Sequence, residues 1–127
     1  MGASVVDESM TPDVFDGNLV LPQDILVAND KTGESNTNPC PVADIGPSQS
    51  IVDIGPETIK HFCEIIKNSS MVIWNGPMGL SEIEKFAQGT KIIAQAVASA
   101  SHSIVGGGDT IVAADKLGLL DKYGFVS

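Results

Sequence analysis

Arginine is absent: the 127-residue chain has seven basic side chains, all lysine, against 16 acidic ones, a formal net charge of -9. That balance excludes a nucleic-acid partner, because binding to a phosphate backbone depends on neutralisation by Lys and Arg. It also removes the bidentate guanidinium clamp that usually grips small phosphorylated or carboxylated substrates. An anionic substrate would have to be held mainly by groups outside this chain, and the acidic excess itself reads as solubility. Cysteine is scarce too. Cys40 and Cys63 lack the close Cys and His spacing of a zinc site and are too few for a disulfide framework, so reduced thiols are expected, with Cys63 packed. No stretch approaches the roughly 18 apolar residues of a membrane span, and the N-terminus has no basic flank leading into an apolar core. No membrane partner is expected, and the cytoplasm is the expected compartment.

What is present suits one small domain with one core: hydrophobic residues make up 43% and charged residues 18%. Residues 1–18 carry neither helical nor strand periodicity and read as a poorly ordered lead-in, leaving residues 19–127 as the folded part. The run Leu19–Ala28, LVLPQDILVA, reads as a buried strand starting after Pro22. Residues 29–50 are rich in Asn, Asp, Ser, Gly and Pro and read as a long loop. A repeated unit follows, made of a short β run, a glycine turn and a helix with one apolar face. SIVDIGP leads into PETIKHFCEIIKN, with Pro56 at the first helical position. MVIWNGPMG leads into a helix expected from Ser81, where Ser81 and Glu84 have capping-box spacing and Gly89 divides the helix. HSIVGGGD leads into TIVAADKLG, capped by Asp109 and ended by Gly118. FVS is a last β run. Strands alternating with helices imply parallel pairing, with ligands bound at the carboxyl ends of the strands, where the glycine turns lie.

Three such turns, Asp53–Pro56, Asn75–Gly79 and Gly106–Asp109, point together to a phosphate-bearing ligand, although any one of them serves equally as a conformational device. GGGDTI lacks the third glycine of the dinucleotide fingerprint, and no glycine run is followed by Lys and Ser or Thr. Neither a dehydrogenase fingerprint nor a Walker-type loop is therefore supported. Asp109, beside three glycines, suits either a plain helix cap or a magnesium ligand. Glu82 suits either a favourable charge near a helix start or an acceptor for ribose hydroxyls. Trp74 reads as packing, and His61 and His102 as exposed or satisfied histidines.

The combination of WNGPMG, the spacing to FAQGT, and GGGDT resembles phosphoglycerate kinase, and so do LPQDILVA and the DIGP beginning at Asp53. The similarity covers about residues 19–127. It implies an α/β, Rossmann-like three-layer fold with a mainly parallel sheet, incomplete relative to the family's C-terminal nucleotide-binding domain. It also implies reversible phosphoryl transfer between 1,3-bisphosphoglycerate and ADP, giving 3-phosphoglycerate and ATP, with magnesium. By the same resemblance Asp109 is the magnesium-nucleotide aspartate, and Gly107, Gly108 and Thr110 lie along the phosphates. Glu82 takes the ribose, Asn75, Gly76 and Leu80 line the nucleotide site, and Gly55 sits beside the adenine pocket.

The departures bear on activity. Ser81 replaces the Phe usual before that glutamate, and the arginine-rich substrate domain and the STGGGA-like helix start of the family have no counterpart in this sequence. No catalytic residue is assigned, and 3-phosphoglycerate is expected to be held only through the family's N-terminal domain. The resemblance implies a piece of the enzyme that binds ADP or ATP and is inactive alone, its parent a monomer. The alternative is a non-catalytic nucleotide-binding or interaction module. The resemblance places LPQDILVA in the parallel sheet, two family strands away from MVIWNGP. The segment before Asn29 is therefore expected to be mobile or newly paired, with open edges that invite self-association.

Overall fold

The computed structural model describes residues 19–34 and 36–127; the lead-in expected at residues 1–18 lies outside the described residues. Two three-stranded sheets organise the described residues. Asp24–Ala28 (β1), Asn38–Pro41 (β2) and Ser50–Ile54 (β3) form an antiparallel sheet in the order β2-β1-β3. Val72–Asn75 (β4), Ser103–Gly106 (β5) and Phe125–Val126 (β6) form a parallel sheet in that order. The helices are Pro56–Lys67 (α1), Gln88–Ala98 (α2) and Gly108–Lys116 (α3). The parallel sheet and its helices give the Rossmann-like α/β arrangement expected.

The antiparallel sheet corrects the sequence reading. β1 and β3 do not belong to the parallel sheet, and the stretch read as a loop over residues 29–50 contains β2 and a single 3-10 turn at Val42–Asp44. The physical reason lies in the connection: among the described residues no α-helix separates β1 from β3, and antiparallel strands need no crossover. β2 escaped notice because its sequence is NPCP. Proline cannot donate to a ladder and is tolerated on an edge strand, the place β2 occupies. β1 is the central strand, with Ile25, Val27 and Ala28 buried, so Asp24–Ala28 is paired on both sides, within the antiparallel sheet and not in the parallel one. Between β1 and β3 the register slips: Leu26 faces Asp53 and Val27 faces Ile51, leaving Val52 as the extra residue of a bulge.

In the parallel sheet Trp74 is registered with Val105, and both point into the main core with Ile93, Ala94 and Val97 of α2 and Ala114 of α3. Phe62, Cys63 and Ile66 of α1 pack against the same cluster. Burial pushes the Cys63 thiol up, in keeping with a packed, reduced thiol. Tyr123 closes the core: its ring meets Trp74 edge to face at 6.2 Å, and its hydroxyl donates to the Ala94 carbonyl at 3.1 Å. A smaller cluster of Ala28, Val52 and Phe86 joins the antiparallel sheet to the segment before α2. Among the described residues the outer edge of β4 has no partner strand and is apolar, with Ile73 69% and Met71 56% exposed.

Helix starts also depart from expectation. α1 begins as read, with Pro56 at its first position after Gly55. α2 begins at Gln88 and not at Ser81. Residues 84–86 form a 3-10 turn instead, and no capping-box bond forms. Phe86 is fully buried, and the chain must bend there to insert it, which an α-helix running through from Ser81 would not allow. α3 begins at Gly108, so Asp109 lies inside its first turn and does not cap it, while Gly118 ends it with φ +69°. His61 differs as well: its Nδ1 is buried without a hydrogen-bond partner, whereas the ring of His102 meets the Ser70 carbonyl at 3.3 Å.

Candidate nucleotide site

Strands β4 and β5 are adjacent and parallel, so the turns at their carboxyl ends lie side by side. The two turns interlock. The Gly76 amide donates to the Thr110 hydroxyl at 2.6 Å, and the Trp74 indole N–H reaches the Gly76 carbonyl at 2.8 Å. Gly107, at φ +91°, lies so close to Asn75 that a Cβ on it would stand 2.5 Å from the Asn75 Oδ1. Only glycine fits both the backbone angle and the space.

A cavity of about 440 Å³ opens above these turns, lined by Pro77, Gly79, Ser81, Glu82, Asp109 and Lys116 among others. A second cavity of about 350 Å³ shares Ser81, Glu82, Ala113 and Lys116 with it and extends toward Glu84, Thr90 and Lys91. The two form one groove between the 77–87 segment and a face of α3. Glu82 and Asp109 face the same space with Lys116 between the two hollows, and Lys91 pairs with Glu84 at 3.3 Å.

The three helix starts differ in how their amides are satisfied. The Asp24 carboxylate, from β1, accepts from the amides of Glu57 and Thr58 and from the Thr58 hydroxyl, and so caps α1. Burial pushes the Asp24 carboxyl up, but those hydrogen bonds outweigh it and hold the group below its ordinary value. The Asp53 carboxylate, from β3, accepts from the Gly89 amide at 2.7 Å in the first turn of α2 and from the Ile54 amide at 2.8 Å. Burial dominates there and pushes the Asp53 carboxyl up against those two bonds. Among the described residues no side chain accepts from the first-turn amides of α3, which follows Gly107. The amides of its first turn are therefore the ones left for an anionic ligand, beside the cavity.

The structure brings Asn75, Gly76, Glu82, Gly107, Gly108, Asp109 and Thr110 together around this corner. Thr110 is buried, and its hydroxyl binds the two turns to each other. Leu80 turns its side chain into the Phe86 cluster, and its amide donates to the Val52 carbonyl at 2.9 Å. Gly55 lies apart from both hollows. A Cβ there would strike the Asp24 carboxylate, so its bareness belongs to the cap of α1. Sequence reasoning missed Lys116, Lys91 and Thr90 as lining residues. The Gly-Thr pair of FAQGT was the available signal, since the Thr90 hydroxyl accepts from the Met78 amide at 3.0 Å and fastens the turn to α2.

A magnesium-nucleotide fits this donor set. Magnesium keeps several waters and takes one or two carboxylates beside substrate phosphates. Asp109 and Glu82 line one cavity, and among the described residues no cluster of three or more His, Cys, Asp or Glu offers a site made by protein alone. Among the same residues no helix is long and apolar enough to cross a membrane.

Comparison with known proteins gives the same direction. Residues 6–127 match the family described as phosphoglycerate kinase. The phosphoglycerate kinase of Roseiflexus castenholzii (strain DSM 13941 / HLO8) is 44% identical over 86% of this chain and 28% of its own length. That of Roseiflexus sp. (strain RS-1) is 39% identical over 100% of this chain and 35% of its own. Among solved structures, phosphoglycerate kinase from Coxiella burnetii superposes with a TM-score of 0.82 at 39% identity, over 85% of this chain and 28% of that one. The enzyme from Pyrococcus horikoshii OT3 gives 0.70 at 28% identity. The chain thus spans about a third of the length of the curated relatives it matches. With the interlocked turns, the groove and a match across nearly its whole length, this chain belongs to the phosphoglycerate kinase family.

Proposed function

We propose that this chain carries part of the magnesium-nucleotide site of a phosphoglycerate kinase, the site being the groove over the ends of β4 and β5. The observation that carries the reading is the uncapped start of α3 beside a cavity that also holds Glu82 and Asp109. In this reading the α3 amides at Gly108 and Asp109 take phosphate oxygens, Asp109 takes the metal, and Glu82 accepts from ribose hydroxyls. Bound magnesium would neutralise charge on the phosphates. Asn75 and Gly107 keep the two turns close enough to act as one cradle.

The reaction assigned to the complete enzyme is reversible phosphoryl transfer between 1,3-bisphosphoglycerate and ADP, giving 3-phosphoglycerate and ATP. Such transfer depends on positioning and on cations around the equatorial oxygens. This chain contributes no arginine to that task, so it binds nucleotide weakly and has negligible turnover by itself. Titration calorimetry with ADP and magnesium tests the site: Asp109→Ala should abolish the magnesium-dependent heat. Equal binding by wild type and variant would remove Asp109 from it.

A further inference from the structure

From Gly79 to the start of α2 at Gln88 the chain carries Ser81 and Glu82, yet it contains no α-helix, and its one regular piece is the 3-10 turn at residues 84–86. Something else must fix its path, and both its ends rest on two residues of β3. At the first end the Leu80 amide donates to the Val52 carbonyl, the carbonyl of the residue that the β-bulge leaves without a partner on β1. Gly79, at φ +58°, lies so close that a Cβ would strike this same carbonyl and stand 2.7 Å from the Asp53 Cα. At the second end the Asp53 carboxylate takes the Gly89 amide, and a Cβ on Gly89 would strike that carboxylate and the Ile54 side chain. Phe86, fully buried against Ala28 and Val52, anchors the middle. Both glycines are thus explained by contact with one pair of residues.

Asp53 is only 1% exposed. Burying a carboxylate so completely is unfavourable, and two amide hydrogen bonds offset it only in part. An apolar side chain would fill the same space without that penalty, but it could not fix the direction of the α2 amides. We propose that Asp53 is the positioning residue of the nucleotide site, clamping the Gly79–Gly89 segment to β3 so that Glu82 stands over the groove. The inference rests on the nucleotide reading for its ligand, while the clamp itself is a property of the ligand-free chain.

Two measurements on the intact chain test it. The first is hydrogen exchange without ligand, comparing wild type, Asp53→Ala and Asp53→Asn. Amides of residues 80–88 should exchange about tenfold faster in Asp53→Ala, while Ile104 and Val105 of β5 stay unchanged, the signature of a local opening. Asp53→Asn keeps one acceptor oxygen and should recover part of the protection; it also serves if the alanine variant fails to fold. The second is calorimetric titration with magnesium and either ADP or inorganic tripolyphosphate, which has no ribose. The Kd for ADP should rise about tenfold, as for one lost charge-assisted hydrogen bond, and that for tripolyphosphate less than about twofold. In a Glu82→Ala background, Asp53→Ala should add nothing further to the loss of ADP affinity. Parallel weakening of both ligands, or additive losses, would make Asp53 merely structural and overturn the proposal. If wild type binds no ADP, the nucleotide reading falls by itself. Exchange then decides the clamp: faster exchange at residues 80–88 upholds it, and unchanged exchange overturns it.

Discussion

Replacing Asp24 by alanine should lower stability by an amount that depends on pH in a specified way. The carboxylate accepts from the Glu57 amide at 3.0 Å, the Thr58 amide at 2.7 Å and the Thr58 hydroxyl at 2.6 Å. Loss of a helix cap costs about 1 kcal/mol, and loss of bonds to an ionised acceptor somewhat more, while water entering this half-exposed site returns a part. The net is about 2 kcal/mol at pH 7. For a domain of this size that corresponds to a fall in Tm of roughly 8 °C, readable by circular dichroism. The sign with pH follows from the depressed carboxyl. Its contribution is complete well above the ordinary value of 3.8 and is lost as pH falls through the lower folded-state value. The gap between wild type and variant should therefore close in acid. A gap of the same size at pH 7 and pH 3, or none at pH 7, would refute the capping role. Asp53 should behave oppositely: its raised carboxyl means that ionisation costs stability as pH rises from 3.8 through the folded-state value.

Other outcomes can be checked on the same chain. Tyr123→Phe removes the buried bond to the Ala94 carbonyl and should cost about 1 kcal/mol in urea unfolding, with the slope unchanged. Ile93→Ala opens a cavity in the main core and should cost about 2–5 kcal/mol by the same measurement. Gly79→Ala meets both a positive φ and the Val52 carbonyl, so it should destabilise by more than about 1 kcal/mol, more than an exposed glycine such as Gly108 changed the same way. Ile73→Lys places a charge on the open edge of β4 and should reduce any self-association seen by sedimentation, leaving the helical signal intact.

Elements with local signals were legible. α1 showed its apolar face and Pro56, β4 and β5 their apolar runs, and α3 its Gly118 stop. The corner formed by Asn75, Gly107 and Asp109 was legible too, because its glycines sit at the ends of two strands that are adjacent in the sheet. What failed was long-range. The pairing of β1 with β3 depends on partners more than twenty residues apart, and β2 is written in prolines that propensity assigns elsewhere. The caps of α1 and α2 come from Asp24 and Asp53, which lie 34 and 36 residues from the amides they bind at Thr58 and Gly89. A capping-box spacing at Ser81 and Glu84 therefore pointed to a helix start seven residues early, where burial of Phe86 governs the path instead.

The chain contains one tryptophan and one tyrosine, and they are in contact: Trp74 and Tyr123 lie 6.2 Å apart, joining β4 to the turn that leads into β6. Light absorbed by the phenol passes to an indole so close, so the native chain should emit with a tryptophan spectrum alone. A separate tyrosine band would appear when the C-terminal turn leaves the core. Because the indole N–H is fastened to Gly76, the same emission would shift when the turn after β4 is rearranged. The fold thus contains its own optical gauge, able to distinguish release of the chain's last strand from movement at the groove without any label.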